Sequence, residues 1–156
     1  MTLADVSRFQ VPRDIVVETE GALQHAGRDG YEVFVLWSGT IQDDRFVVGT
    51  PHLPKQKSYK LRGRELLVRV EGDALHELNA RLYETREILG VQVHAHPTTA
   101  FHSHTDDTFP IVTTLGGLSI VAPDFCCRGL FVPDTAVYRL EDQGWGEQDL
   151  SLIEVI

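Results

Sequence analysis

The sequence predicts a mixed α+β fold in a single domain spanning residues 1–156, and three observations carry the prediction. Segments with helical spacing alternate with β-branched and aromatic runs in the order helix, strands, helix, strands. A chain of 156 residues is the size that one hydrophobic core serves. No internal repeat, low-complexity tract or long linker divides it.

The elements follow in order. Pro12 followed by Ile15, Thr19, Ala22, Leu23 and Ala26 has helical spacing with proline near the first turn, and GRDG at 27–30 supplies the stop. YEVFVLWSGT, 31–40, reads as a buried strand, and RFVVGT as its hairpin partner after the turn IQDD. PHLPKQKSYKLRGR, 51–64, combines two prolines with a basic cluster and reads as a flexible loop. ELLVRV, 65–70, is a strand. GDALHELNARLYETRE follows as a second helix, with Leu75, Leu78 and Leu82 on one face and Asp73 near the N-terminus. ILGVQVHAH alternates as a strand. GGLSIVAP, TAVYRL and SLIEVI are three more strand candidates, and EDQGWGEQD between the last two reads as turn. Trp37 is expected in the core and Trp145 at a turn or surface.

Composition excludes several classes. A formal net charge of −9 argues against nucleic-acid binding, which needs clustered Lys and Arg against phosphates. No apolar run approaches the roughly 20 residues that cross a bilayer, and the N-terminus lacks a charged-then-apolar leader, so a cytoplasmic protein is expected. The two cysteines, Cys126 and Cys127, are adjacent, which suits packed, reduced thiols better than a structural disulfide.

The chemistry concentrates in HAHPTTAFHSHTDD, residues 94–107, which holds four of the seven histidines. Side chains two apart on a strand share a face, so His94 and His96 can bring two imidazoles to one point. Pro97 ends the strand, and the following loop can return a third ligand. Two histidines and an aspartate, with a fourth position left to water, is the arrangement of catalytic zinc, which lowers the pKa of its water to about 7. Taken alone, a His-x-His pair on a strand also fits two partly exposed polar side chains.

His-x-His-Pro followed by Ser-x-x-Asp, Ser103 to Asp106, resembles the JAMM motif of the MPN-plus (JAB) metalloisopeptidases. EVFVLWSG, Glu32 to Gly39, is similar to that family's upstream glutamate opening an apolar strand that closes on glycine, and the order of elements matches over nearly the whole chain. The resemblance implies an MPN/JAB-like central sheet flanked by helices. It also implies one zinc held by His94, His96 and Asp106, with Glu32 as general base and then general acid, and Ser103 stabilising the oxyanion. One departure stands out. The family usually has seven residues between the second histidine and the serine, and here there are six, Pro97 to His102. Counting seven puts His104 and Asp107 in the two positions and loses the hydroxyl, so the shorter loop with Ser103 and Asp106 is preferred. His102 and His104 then read foremost as exposed polar residues, with a place behind the metal ligands or facing the substrate as the alternatives, and His25, His52 and His76 read as surface residues.

The resemblance is closest to the compact prokaryotic branch, whose members often accompany bacterial ubiquitin-like, E1-like and E2-like proteins, some in antiviral defence operons. It implies a zinc isopeptidase that cleaves after the C-terminal tail of a ubiquitin-like protein, in deconjugation or precursor maturation. A sulfur-carrier protein adduct or a small peptide is the alternative substrate, and a catalytically silent MPN scaffold the alternative class.

Overall fold

A computed structural model describes residues 2–60, 66–103 and 110–156, with the backbone alone at Leu67. The architecture is mixed α+β. Among the described residues, two helices accompany an eight-stranded mixed sheet and a separate two-stranded one. The strands are β1 (Arg8–Val11), β2 (Val35–Gln42), β3 (Arg45–His52), β4 (Gln56–Lys60), β5 (Leu66–Val70), β6 (Ile88–Ala95), β7 (Leu118–Ala122), β8 (Ala136–Glu141), β9 (Gly144–Gln148) and β10 (Ile153–Val155). The large sheet runs β10-β1-β3-β2-β6-β7-β8-β9, and β4 pairs only with β5.

Helix α1 (Arg13–Arg28) starts after Pro12, whose fixed φ suits a helix entry, and ends before Gly30 at φ 75°. Its buried stripe of Ile15, Val16, Thr19 and Leu23 has the spacing of one helical face. That stripe packs on Phe9, Val35, Trp37, Phe46, Val91, Val93 and Ala95 to make the main core. Trp37 is core, as expected, and its indole Nε1 donates to Thr19 Oγ1 at 2.9 Å, so the buried N–H is satisfied. Helix α2 (Gly72–Thr85) covers the other face of the sheet, where Leu78 and Leu82 meet Phe34, Leu36, Val68, Val70 and Leu89.

Strand β6 runs through the middle of the large sheet, antiparallel to β2 and parallel to β7. Period-two alternation sends Val91, Val93 and Ala95 into the α1 core. The intervening Gln92, His94 and the following His96 therefore face the α2 side. Gly39 of β2 sits at a register shift against β3, where a Cβ would lie 2.1 Å from the Val47 carbonyl oxygen, so no other residue fits without moving backbone.

Several expectations are corrected here. The first element is β1, a four-residue strand between β10 and β3, and α1 is second. The stretch expected as a loop over 51–64 contains the end of β3 and all of β4, which Lys55 and Lys57 brace through ion pairs to Glu71 at 3.7 Å each. The turn expected over 141–149 contains β9, paired along β8 from Gln148 to Gly144. Strand β2 begins at Val35, three residues after Glu32. The extended segment before it is held by side chains, with Phe34 N donating to Gln56 Oε1 at 2.7 Å, Gln56 Nε2 to Phe34 O at 2.9 Å and Ser58 Oγ to Glu32 O at 2.6 Å. The cysteines are free, as expected, with Cys126 buried, but Cys127 is exposed rather than packed. Burial pushes the Cys126 thiol up to about 12, where it is inert.

Candidate metal centre

His94 lies near the end of β6 and His96 just beyond it, and both are buried, at 1% and 6% exposure. Their Nε2 atoms converge to 3.3 Å. Two nitrogens bound at about 2.0–2.1 Å to one tetrahedral zinc lie about 3.3–3.4 Å apart, so the pair has the spacing of two ligands of a single ion. Two imidazoles without negative charge also suit zinc's preference for nitrogen donors. Aromatic rings close the pair on both sides, Phe34 at 4.8 Å from His94 and Phe101 at 4.6 Å from His96.

Backbone bonds fix where the pair points. His96 N donates to Ala122 O at 2.9 Å, extending the parallel ladder beyond β6, and His96 O accepts from Phe125 N at 2.7 Å. Thr98 O accepts from Asp124 N at 2.8 Å, so the chain leaving the histidines is pinned at two points by the turn that follows β7. That turn is left-handed at three consecutive residues, Asp124, Phe125 and Cys126, with φ of 53°, 51° and 63°. Left-handed backbone costs a non-glycine residue about 1–2 kcal/mol, a strain that the surrounding structure must offset. Cys126 O accepts from Gln24 Nε2 of α1 at 3.0 Å, and Phe125 packs on Gly27, so α1 holds the turn against the histidine strand.

The other predicted site residues are placed as follows. Glu32 is half-buried, in the side-chain-pinned segment ahead of β2, and its carbonyl is fastened by Ser58. Ser103 is half-buried directly after His102. Asp106, the predicted third ligand, lies outside the described residues, as do Asp107 and His104. Among the described residues no three His, Cys, Asp or Glu side chains gather as a metal-binding group. The structure therefore brings His94 and His96 together, while the expected third ligand, Asp106, lies outside the described residues.

Two histidines differ from their sequence reading. His102 is half-buried, with Nε2 3.0 Å from Ser119 Oγ, its backbone N donating to Tyr138 Oη at 3.1 Å, and its ring 4.7 Å from Tyr138 and 5.1 Å from Trp145. Trp145 is correspondingly half-buried on β9 rather than at a turn. His52 is buried, with Nε2 2.7 Å from Ser38 Oγ, and that hydroxyl also donates to Glu87 Oε1 at 3.1 Å. Burial pushes the His52 imidazole below the ordinary histidine range, against the opposing pull of Glu87. His25 and His76 are exposed, as expected.

Sequence reasoning missed Gln92, Ser119, Gln56 and Ser58, which are polar anchors behind these residues. Gln92 carried a signal: in strand alternation it shares the face of His94, so a fully buried amide had to find partners there.

No family model matches the chain. The fold is similar to the solution structure of protein DSY2949 from Desulfitobacterium hafniense, with a TM-score of 0.64 and 14% identity, covering 95% of this chain and 92% of that one. It is also similar to the solution structure of a protein from Salinibacter ruber, with a TM-score of 0.57 and 16% identity, covering 94% and 91%. Those two likenesses concern the fold. A nearer likeness is to a curated protein of Sinorhizobium fredii named "Probable metalloprotease y4jG", 36% identical over 146 residues, which span 93% of this chain and 90% of the relative. With that identity over nearly the whole of both sequences, the chain belongs to the metalloprotease family of this Sinorhizobium protein.

Proposed function

We propose that the chain is a zinc-dependent peptidase of the JAMM type, a single MPN/JAB-like domain that cleaves after the C-terminal tail of a ubiquitin-like protein in the bacterial cytoplasm. The observation that carries the reading is the 3.3 Å convergence of His94 and His96 at the end of a central strand, in a chain of a metalloprotease family. His94, His96 and Asp106 would hold the ion. When bound, zinc supplies Lewis acidity and lowers the pKa of water at the open position to about 7.

The remaining chemistry belongs to this chain's own side chains. Glu32 takes a proton from the attacking water and returns it to the departing amine, so water's oxygen ends on the acyl carbon as the C–N bond breaks. Ser103 donates its hydroxyl proton as a hydrogen bond to the carbonyl oxygen while negative charge develops there. Support for Glu32 comes from its anchoring. A base must be held at a set distance from the water, and the segment that carries it is fastened at Glu32 O and at both backbone groups of Phe34, whose ring contacts His94. Phe34 and Phe101 shield the histidines, which strengthens charge interactions inside the site.

The test is Glu32→Gln, assayed for metal content, for affinity toward a ubiquitin-like fusion and for cleavage of that fusion. Zinc and binding are expected to persist while turnover falls about 100- to 10,000-fold, the usual worth of general acid–base assistance. A loss well below tenfold would mean that another group moves the proton, and loss of zinc would make Glu32 a ligand. Failure of the wild-type protein to cleave any ubiquitin-like fusion, with cleavage of sulfur-carrier adducts instead, would move the substrate and keep the chemistry.

A further inference from the structure

Three alternate side chains of β4, which share one face of that strand, reach the stretch that leads into β2. Gln56 Oε1 accepts from Phe34 N at 2.7 Å, while its Nε2 donates to Phe34 O at 2.9 Å and to Pro54 O at 3.0 Å. Ser58 Oγ donates to Glu32 O at 2.6 Å. Lys60 Nζ donates to Asp29 O at 3.2 Å and lies over the Tyr31 ring, 4.6 Å from its centroid. Positions rise by two along β4 as they fall from Phe34 to Glu32 on the neighbouring stretch, which is the spacing of an antiparallel pair. The backbone of β4 itself pairs with β5, from Gln56↔Val70 to Lys60↔Leu66. Side chains therefore stand where a ladder would. A primary amide carries donor and acceptor in one plane, so Gln56 gives Phe34 both bonds that a strand neighbour exchanges in a hydrogen-bonded pair.

The ladder of β2 with β6 starts at Val35, opposite Val93. Continued backwards, that antiparallel register sets Phe34 level with His94 and Glu32 level with His96, in keeping with the 4.8 Å contact between the Phe34 and His94 rings. Glu32 thus comes up to the histidine pair on backbone ahead of the ladder, and β4 supplies the hold that the ladder does not. We infer, on the reading of Glu32 as the general base, that Gln56 and Ser58 are positioning residues that fix the backbone from which its carboxylate reaches the histidine pair. Ser58 acts at the carbonyl of Glu32 itself, and Gln56 acts two residues further on, at both polar groups of Phe34. Proton transfer needs the base within about 2.6–3.2 Å of the atom it relieves, and a misplacement of about 1 Å can cost about 100-fold in rate. Both side chains act on the proton shuttle and leave the ion's own ligands alone, so they bear on turnover and not on metal content.

The variants are Gln56→Met, which keeps the length and removes the amide, Ser58→Ala, and Ser58→Thr, which restores the hydroxyl. Each is made alone and in the Glu32→Gln background. Zinc content is read beside kcat and KM on the ubiquitin-like fusion, or on the sulfur-carrier adduct if the wild-type protein cleaves that instead. Gln56→Met and Ser58→Ala are expected to keep zinc and to lower kcat about 10- to 100-fold with KM changed by less than about threefold, and Ser58→Thr to recover most of the loss. In the Glu32→Gln background the same substitutions should slow cleavage no further, because residues that act through one group are not additive. Amide exchange at Phe34 in the zinc-free protein gives a readout apart from turnover and should quicken in Gln56→Met. Should Gln56→Met fail to fold, the Ser58 pair carries the test. Wild-type kcat in Gln56→Met and Ser58→Ala, alongside its loss in Glu32→Gln, would overturn the positioning role alone. An equal loss in both backgrounds would do the same, since it marks a general structural effect, and so would unchanged Phe34 exchange in Gln56→Met. Wild-type turnover in Glu32→Gln would overturn the reading of the base and the positioning role with it, as would a wild-type protein that cleaves neither substrate.

Discussion

Two glycines of α1 make a matched pair whose alanine variants should differ in sign. A Cβ at Gly21 would meet nothing within 4 Å. Gly21→Ala should therefore gain the helix-propensity difference, about 0.8–1 kcal/mol in a helix interior. A Cβ at Gly27 would lie 2.6 Å from Phe125 Cβ, 2.9 Å from its Cγ and 3.2 Å from its Cδ1. Carbon atoms in contact prefer about 3.5–4.0 Å, so Phe125 must retreat by about 0.9 Å. Rotating the ring does not help, because its Cβ is set by the backbone. The turn itself would have to move, and Phe125 N is bonded to His96 O while Cys126 O is bonded to Gln24. Overpacking of this kind costs about 1–3 kcal/mol. Gly27 is in the last turn of the helix, where the propensity gain is smaller, so the net expectation is a loss of about 1–2 kcal/mol. The two variants should be separated by about 2–3 kcal/mol in urea unfolding, or roughly 4–12 °C in midpoint for a chain of this size. Zinc binding should weaken only in Gly27→Ala, since the displaced turn holds His96. If Gly27→Ala stabilises as much as Gly21→Ala, the contact between α1 and the left-handed turn is not as described.

The other predictions are independent of that turn. His52 has its folded pKa below the unfolded value of 6.5, so its neutral form is the one the fold favours and the unfolded chain binds the proton more readily. Its contribution is complete above about pH 6.5, is lost as pH falls from there toward the folded value, and changes no further below it. His52→Gln should flatten that part of a pH 8 to pH 5 series of urea midpoints, and an unchanged slope would put the dependence on another group. Arg139 donates from Nη2 to Leu3 O and Val6 O at 2.7 Å each and from Nε to Gly116 O at 3.1 Å, tying the N-terminal segment to β8. Arg139→Met leaves three carbonyls short of their charged donor and should cost about 2–4 kcal/mol in the same assay. A change under 0.5 kcal/mol would mean that water replaces the guanidinium at no cost.

Local patterns made parts of the fold legible. Ile15, Thr19 and Leu23 mark α1 and Leu78 and Leu82 mark α2 by spacing alone, and the alternation of Val91, Val93 and Ala95 marks β6 and the shared side of His94 and His96. Strands whose identity lies in their partners were not legible. The glycines of β9 read as turn residues, yet Gly144 at φ 119° opens a strand that pairs along β8. The lysines of β4 read as a loop, yet the strand is completed by β5 and by Glu71. The same limit applies to the polar anchors. His52 is 14 residues from Ser38, and His102 is 17 from Ser119, so neither burial nor partner is written near the histidine in the chain.

The central claim, a single catalytic ion on the His94–His96 pair, is tested most directly by metal content. Protein purified without a histidine tag should carry one zinc per chain by mass spectrometry, and the His94→Ala, His96→Ala double variant should carry none while keeping its circular dichroism spectrum. Asp106→Ala and Asp107→Ala in the same measurement identify the third ligand, with zinc lost in the first and kept in the second. Full zinc occupancy in the double histidine variant would contradict the account, because the 3.3 Å convergence would then be a packing contact with the metal held elsewhere.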